Sequence, residues 1–197
     1  AVTEDTKVKK WANDSFEAIE ILEKVTGVEG SSARSFNKST VKQRHEDWFF
    51  FPMEWHQSTS MPGYRWIGDP SSDTYANLMY GLAMYYDLVA DDAYKKRVQD
   101  WVRKVMDRMI AHDMRIVDID GKMTLWGNFC PNLPHQELNS LEMLAALKVT
   151  HHLTGKERYN AAYHMLIDRY HYDDRAINAK ILFPPEWRNV GDDYHAA

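Results

Sequence analysis

The amino-acid sequence predicts an all-α fold of stacked α/α hairpins with one small β-hairpin. Helical patterns that carry a charged face alternate along the chain with helical patterns that are apolar almost all round. A loop rich in polar and aromatic residues precedes each of the apolar helices. Between residues 114 and 126 the hydrophobic period switches to two around Asp120-Gly121, which is typical of a β-hairpin.

Length and composition predict one domain over residues 1–197, because 44% hydrophobic and 13% aromatic residues are enough for a core. The net charge of −5 and the lack of a Lys/Arg-rich run argue against a nucleic-acid partner. No apolar run approaches the roughly 18 to 20 residues that span a bilayer, so no membrane partner is expected.

The single cysteine, Cys130, excludes an internal disulfide and a Cys-rich zinc site. The histidines show no spacing typical of a metal site, and His151 and His152 point about 100° apart on a helix. We therefore expect no cofactor and no transition-metal site, although a structural calcium at the Asp-rich loop ends is conceivable. The compartment stays open, with an extracellular or periplasmic location favoured.

The first third of the chain predicts an amphipathic outer helix over residues 5–25, ended by Gly27, and then a long irregular segment. The hydrophobic residues among 28–70 follow neither a helical nor a strand-like period. They hold a dense aromatic group: Trp48, Phe49, Phe50, Phe51, Trp55, Tyr64 and Trp66. Loops this long are usually functional or disordered, and the aromatic content argues against disorder.

The helix predicted over residues 73–89 is apolar around nearly its whole circumference, so we expect it to be buried on most sides. Its start is punctuated by Gly68 and Pro70, and the side chains of residues 71–73 are expected to cap it. Asp73, Asn77 and Gly81 form a polar or small stripe at i, i+4 and i+8. This stripe either faces a water-filled cleft or lets a neighbouring helix approach closely.

The second half repeats the alternation. Residues 93–112 and 157–170 predict outer helices, and the helix between them, closed by Gly155, predicts a second inner one. Asn139 and Glu142 match a capping box at its start. The tail from residue 171 loses periodicity, and its composition predicts a third inner helix beginning near Asp192.

Stacked hairpins whose inner helices line a common axis resemble the (α/α)6 toroid of the six-hairpin glycosidase-like superfamily. The resemblance is carried by segments at 27–35, 66–73, 118–127 and 138–144, which look like a poorly characterised branch of that superfamily. About five helices fall short of a ring that needs on the order of 250 residues, which implies a partial toroid. Its open flank predicts an oligomer or the remainder of a longer chain.

The first function hypothesis is a carbohydrate-active domain of glycoside hydrolase type that takes an oligo- or polysaccharide. Glycoside hydrolysis generally needs two carboxylates, and we favour Asp69 or Asp73 as one partner and Glu137 or Asp192 as the other. Further residues are candidates for substrate binding: Tyr64, Trp66, Asn77, Trp126, His135, Trp187 and Asp193.

Two alternatives stay open. A polysaccharide lyase would use groups such as Tyr75, Asn77, His135 and Arg65, but the acidic loops disfavour an anionic substrate. In a non-catalytic carbohydrate-binding or structural α/α domain, the same carboxylates would cap helices and the tryptophans would belong to the core.

Overall fold

The computed structural model describes residues 5–41, 55–130 and 137–178. Helices make up 61% of these residues, which confirms a mostly helical fold. The helices are α1 (Thr6–Lys24), α2 (Ser72–Leu88), α3 (Asp92–Ala111), α4 (Glu137–Thr154), α5 (Glu157–Tyr170) and α6 (Tyr172–Asn178). The strands are β1 (Ser35–Lys38), β2 (Trp55–Gln57), β3 (Tyr64–Ile67), β4 (Arg115–Val117) and β5 (Met123–Asn128).

Helix α4 lies at the centre of the helical part, where it packs against α2, α3, α5 and α6. Short connections, residues 89–91 and 155–156, join α2 to α3 and α4 to α5. Connections of this length place consecutive helices side by side as α-hairpins. The shared core includes Leu82, Met106 and Leu147, each of which is at most 1% exposed. The inner position predicted for α4 is therefore confirmed.

Helix α2 differs from the prediction. It buries one face, through Tyr75, Met79 and Leu82, while Tyr80 on the opposite face is 64% exposed. The expectation that α2 is buried on most sides is wrong, because an apolar composition does not reveal on how many sides neighbours are present. Among the described residues no atom lies within 4 Å of a Cβ built on Gly81, so no helix approaches closely there.

Helix α1 is attached to the hairpins mainly through side chains. Phe16 stacks on Tyr85 with ring centroids 5.4 Å apart, and the Tyr85 hydroxyl donates to Asn13 at 2.7 Å. Arg97 on α3 donates from Nε to the Glu20 carboxylate at 3.1 Å. These contacts hold α1 on the outside of the fold, as its amphipathic pattern predicts.

The segment predicted to lack regular structure contains a three-stranded antiparallel sheet in the order β1-β3-β2. Ser35 pairs with Ile67 and Trp55 pairs with the same residue from the other side. The sheet covers a second small core of Val25, Ala33 and Trp66 at the end of α1. The fold is therefore helical with small sheets, and the aromatic residues 48–51 lie outside the described residues.

The predicted β-hairpin is confirmed as β4 and β5, which pair antiparallel with Val117 opposite Met123. Gly121 occupies the turn with a φ of +78°, a conformation that glycine adopts without strain. Helix α6 was not predicted. Buried Tyr172 anchors it by donating a hydrogen bond from its hydroxyl to the carbonyl of Phe129. The third inner helix expected near Asp192 falls outside the described residues.

Candidate functional site

The loop before α2 is joined to the β4–β5 hairpin by two hydrogen bonds. The backbone N–H of Leu125 donates to Oδ1 of Asp69 at 2.6 Å. The hydroxyl of Thr124 donates to the carbonyl of Pro70 at 2.8 Å. The start of α2 is thus fixed against β5, although the two segments lie more than fifty residues apart in sequence.

The starts of α2 and α4 meet at the same place. The hydroxyl of Ser72 contacts Oδ1 of Asn139 at 3.4 Å, and the Asn139 amide nitrogen donates to the carbonyl of Asn128 at 2.6 Å. We call the region formed by residues 68–72, 124–128 and 137–139 the loop junction. It unites two of the polar, aromatic loops on which the function hypotheses depend.

Asp69 is held at the loop junction by its backbone N–H, its carbonyl and Oδ1 of its carboxylate. Its backbone N–H donates to Oδ2 of Asp118 at 2.7 Å, and its carbonyl accepts from Arg34 at 3.0 and 2.6 Å. Its φ of +54° lies in the left-handed region, which is uncommon for a residue other than glycine. Since its carboxylate binds Leu125, Asp69 has a structural role at the junction.

Asp73 stands in the first turn of α2, where it is partly exposed. The Ser71 hydroxyl donates a short hydrogen bond to Oδ1 of Asp73. Within the described part of the chain Ser71 therefore makes no side-chain capping bond, contrary to prediction. Glu137 is the first residue of α4, so both carboxylates lie at the end where the Ser72 and Asn139 side chains touch.

The predicted capping box is wrong, because α4 begins at Glu137 and both of its proposed members lie inside the helix. Asn139 uses its side chain to join α2 and β5 instead. Glu142 is only 4% exposed and is the one buried carboxylate among the described residues. Sequence reasoning also missed Arg34 and Asp118 as supports of the junction, because their partners lie 35 and 49 residues away in the sequence.

The aromatic candidates separate into an exposed and a buried group. Trp126, the β5 residue of the loop junction that follows Leu125, is 51% exposed. Trp66 is 1% exposed and its ring contacts His56, so it has no surface with which to stack on a sugar. Tyr64 is partly buried against Phe36, with ring centroids 6.0 Å apart. A stacking role for Trp66 is therefore corrected to a core role.

The other candidate site residues lie further along α2 or outside the described residues. Asn77 is exposed one turn after Asp73 on α2. The remaining predicted site residues fall outside the described residues: His135, Trp187, Asp192 and Asp193. Their roles stay predictions.

Two of the groups expected of a lyase, Tyr75 and Arg65, are engaged elsewhere. Tyr75 is buried, its hydroxyl oxygen accepts from the backbone N–H of Ser32 at 3.0 Å, and burial raises its pKa above the ordinary value. Arg65 donates to Asn37 at 2.9 Å and its guanidinium lies 4.6 Å from the Trp55 ring centroid. Neither side chain contacts the loop junction in these interactions.

Comparisons with protein-family models, curated proteins and solved structures gave no match for this chain. The six-hairpin resemblance thus remains a prediction from sequence motifs. Over residues 5–41, 55–130 and 137–178, no helix is long and apolar enough to cross a membrane. In the same ranges no three His, Cys, Asp or Glu side chains are grouped to hold a metal ion.

Proposed function

We propose that the chain is a carbohydrate-active domain of glycoside hydrolase type, with its site at the loop junction. One observation carries the proposal: the starts of α2 and α4 meet, so Asp73 and Glu137 come from different helices to one end of the fold. Glycoside hydrolysis uses two carboxylates that flank the scissile bond. Exposed Trp126 supplies an apolar ring at the same end for the face of a sugar.

The two carboxylates form the catalytic pair of this proposal. Asp73 accepts a hydrogen bond from Ser71 in the first turn of α2, and Glu137 is the first residue of α4. One of the two acts as the proton donor and the other as the base or nucleophile. Asp69 supports the site, because its carboxylate fixes β5 and thereby the strand that carries Trp126.

The test is turnover of a panel of oligo- and polysaccharides, measured as the release of reducing ends. We expect Asp73→Asn and Glu137→Gln to lower the rate by at least about 100-fold, the size of a general acid–base contribution, with little change in Tm. Matched controls are Asp92→Asn and Glu157→Gln, which alter first-turn carboxylates of α3 and α5. Equal losses in variants and controls would contradict the assignment.

A second candidate is a non-catalytic carbohydrate-binding or structural domain. It is favoured by the engagement of Asp69 in backbone contacts and by the burial of Trp66. In that case wild-type protein binds glycans without turning them over, and Trp126→Ala abolishes binding in calorimetry. If the protein neither binds nor cleaves any glycan of the panel, the result supports a structural role for the domain.

We also propose that the hairpins belong to a partial α/α toroid. The support is the order of outer and inner helices and the apolar face of α2 formed by Tyr80, Met84 and Leu88, which are 64%, 45% and 37% exposed. Exposed apolar faces of this kind are typical of interaction surfaces. A second copy of the chain or further hairpins of a longer chain would cover it. Light scattering at several protein concentrations separates a self-associating chain from a monomeric one.

A further inference from the structure

The hydroxyl of Ser71 departs from the usual role of a serine that precedes a helix. A serine at this N-cap position normally accepts a hydrogen bond from a backbone N–H of the first turn, which satisfies one of the free donors there. Ser71 has the extended backbone of an N-cap residue, but within the described part of the chain its side chain makes no such bond. Its hydroxyl donates to Oδ1 of Asp73 instead.

The starts of α1 and α3 show the ordinary arrangement. Asp5 accepts from backbone N–H groups in the first turn of α1, and Asp91 accepts from the N–H of Tyr94 at 3.0 Å at the start of α3. Such caps stabilise a helix. Because Ser71 could stabilise α2 in the same way, its contact with Asp73 is not the arrangement that helix stability alone favours.

The Ser71 hydroxyl is itself held in place. Ser71 is buried, and its hydroxyl oxygen lies 3.1 Å from that of Thr74. A serine hydroxyl has one proton, and Ser71 gives it to Asp73, so Thr74 is the donor in this second contact. Two consecutive hydrogen bonds thus run from Thr74 through Ser71 to the carboxylate. A partly exposed carboxylate is thereby restrained by a buried group.

We propose that Ser71 is a positioning residue for Asp73 at the loop junction. This inference rests on the proposed glycoside hydrolase function, in which Asp73 is one carboxylate of the catalytic pair. Whichever of the two roles Asp73 takes, its carboxylate must meet the substrate in a fixed direction, and a small displacement slows such a reaction strongly. Proteins depart from local sequence rules mainly at functional sites, which fits the missing cap at Ser71.

The test compares Ser71→Ala with Asp91→Ala in the glycan assay and in thermal unfolding. Ser71→Ala removes the contact with Asp73 but no capping bond, so we expect kcat to fall about tenfold to 100-fold, with KM and Tm close to wild type. Asp91→Ala removes a capping bond outside the loop junction, so Tm should fall while kcat stays unchanged. Ser71→Thr keeps the hydroxyl and should restore most of the rate.

A double-mutant cycle separates positioning from a purely structural role. In the Asp73→Asn background, Ser71→Ala should lower kcat by no more than about twofold, because both changes act through the same carboxylate. Losses that multiply would overturn the positioning role, as would a Ser71→Ala variant that loses Tm in the manner of Asp91→Ala.

The outcomes also distinguish this inference from the proposed function. A wild-type protein that turns over no glycan would overturn the proposed function, and the positioning role with it. A wild-type protein that is active while Ser71→Ala keeps the full kcat would overturn the positioning role alone.

Discussion

The backbone N–H of Asp69 donates a hydrogen bond of 2.7 Å to the carboxylate of Asp118, across the space next to Gly68. This bond helps to hold Asp69 in a left-handed conformation, and the Asp69 carboxylate in turn binds the N–H of Leu125. Such local strain persists where surrounding contacts determine it. The start of α2 and the β4–β5 hairpin are therefore built as one unit.

Gly68→Ala tests this unit. A Cβ on Gly68 would lie 2.2 Å from Oδ2 of Asp118, so we expect a loss of roughly 1–3 kcal/mol in the free energy of unfolding by urea. Gly81→Ala is the matched control, since Gly81 is helical and open around its Cβ position. Replacing that glycine should stabilise the protein by about 0.5–1 kcal/mol. Similar effects of both changes would contradict the steric argument.

Asp69 variants test whether its role is structural. Asp69→Ala loses the acceptor for the Leu125 N–H and keeps a left-handed conformation that alanine disfavours, so unfolding free energy should fall by roughly 1–3 kcal/mol. Asp69→Asn retains an acceptor oxygen and tolerates this conformation, so its stability should stay close to wild type. A fully stable Asp69→Ala protein would show that the Leu125 contact is dispensable.

Glu23 makes stability depend on pH in the mildly acidic range. Burial raises the pKa of Glu23 above 4.5, although the Gly30 N–H and Lys104 oppose the shift. The folded protein thus holds this proton more tightly than the unfolded chain, and the stabilisation is present below pH 4.5 and lost as the pH rises through the folded pKa. Glu23→Gln should remove this loss in denaturation measured from pH 4 upward.

Exposed Glu29→Gln serves as the control for Glu23, because Glu29 is a nearby glutamate without that burial. Its pH profile of stability should follow that of the wild type. A Glu23→Gln profile that also follows the wild type would contradict the contribution of Glu23.

Tyr159 has the corresponding effect at high pH. Burial raises the pKa of Tyr159 from 10.0 to about 12, and its hydroxyl donates to Asp107 at 2.9 Å. Its contribution is fully present below pH 10 and is lost as the pH rises toward 12. In alkaline denaturation, Tyr159→Phe should be less stable than wild type at neutral pH, and the difference should shrink above pH 10. Tyr80→Phe, at an exposed position, should show a constant difference.

The outer helices could be predicted from sequence because each carries its own signal. The pattern at 157–170 matches α5 at both ends, and Asp5 and Asp91 cap α1 and α3 through their side chains. The three-stranded sheet was missed because its strands are three or four residues long and pair across distant segments, such as Ser35 with Ile67. A period of two is not detectable over so few residues.

The candidate site could be predicted only in part. Turn residues and helix starts located the loops, but the roles within them depend on partners far away in sequence. Asp69 binds Leu125, and Asn139 binds Asn128 rather than capping its helix. Trp66 and Trp126 have similar polar and aromatic neighbours in sequence, yet one is buried and the other exposed. Only tertiary packing distinguishes them.

The central position of α4 determines the order in which the helices unfold. Because four helices cover it, its amide hydrogens can exchange with solvent only when most of the domain opens. Helix α1, attached mainly by side-chain contacts, can detach while α4 remains protected. Native-state hydrogen exchange should therefore rank α4 slowest and α1 much faster, so that α1 opens by local unfolding while the scaffold beneath the loop junction persists.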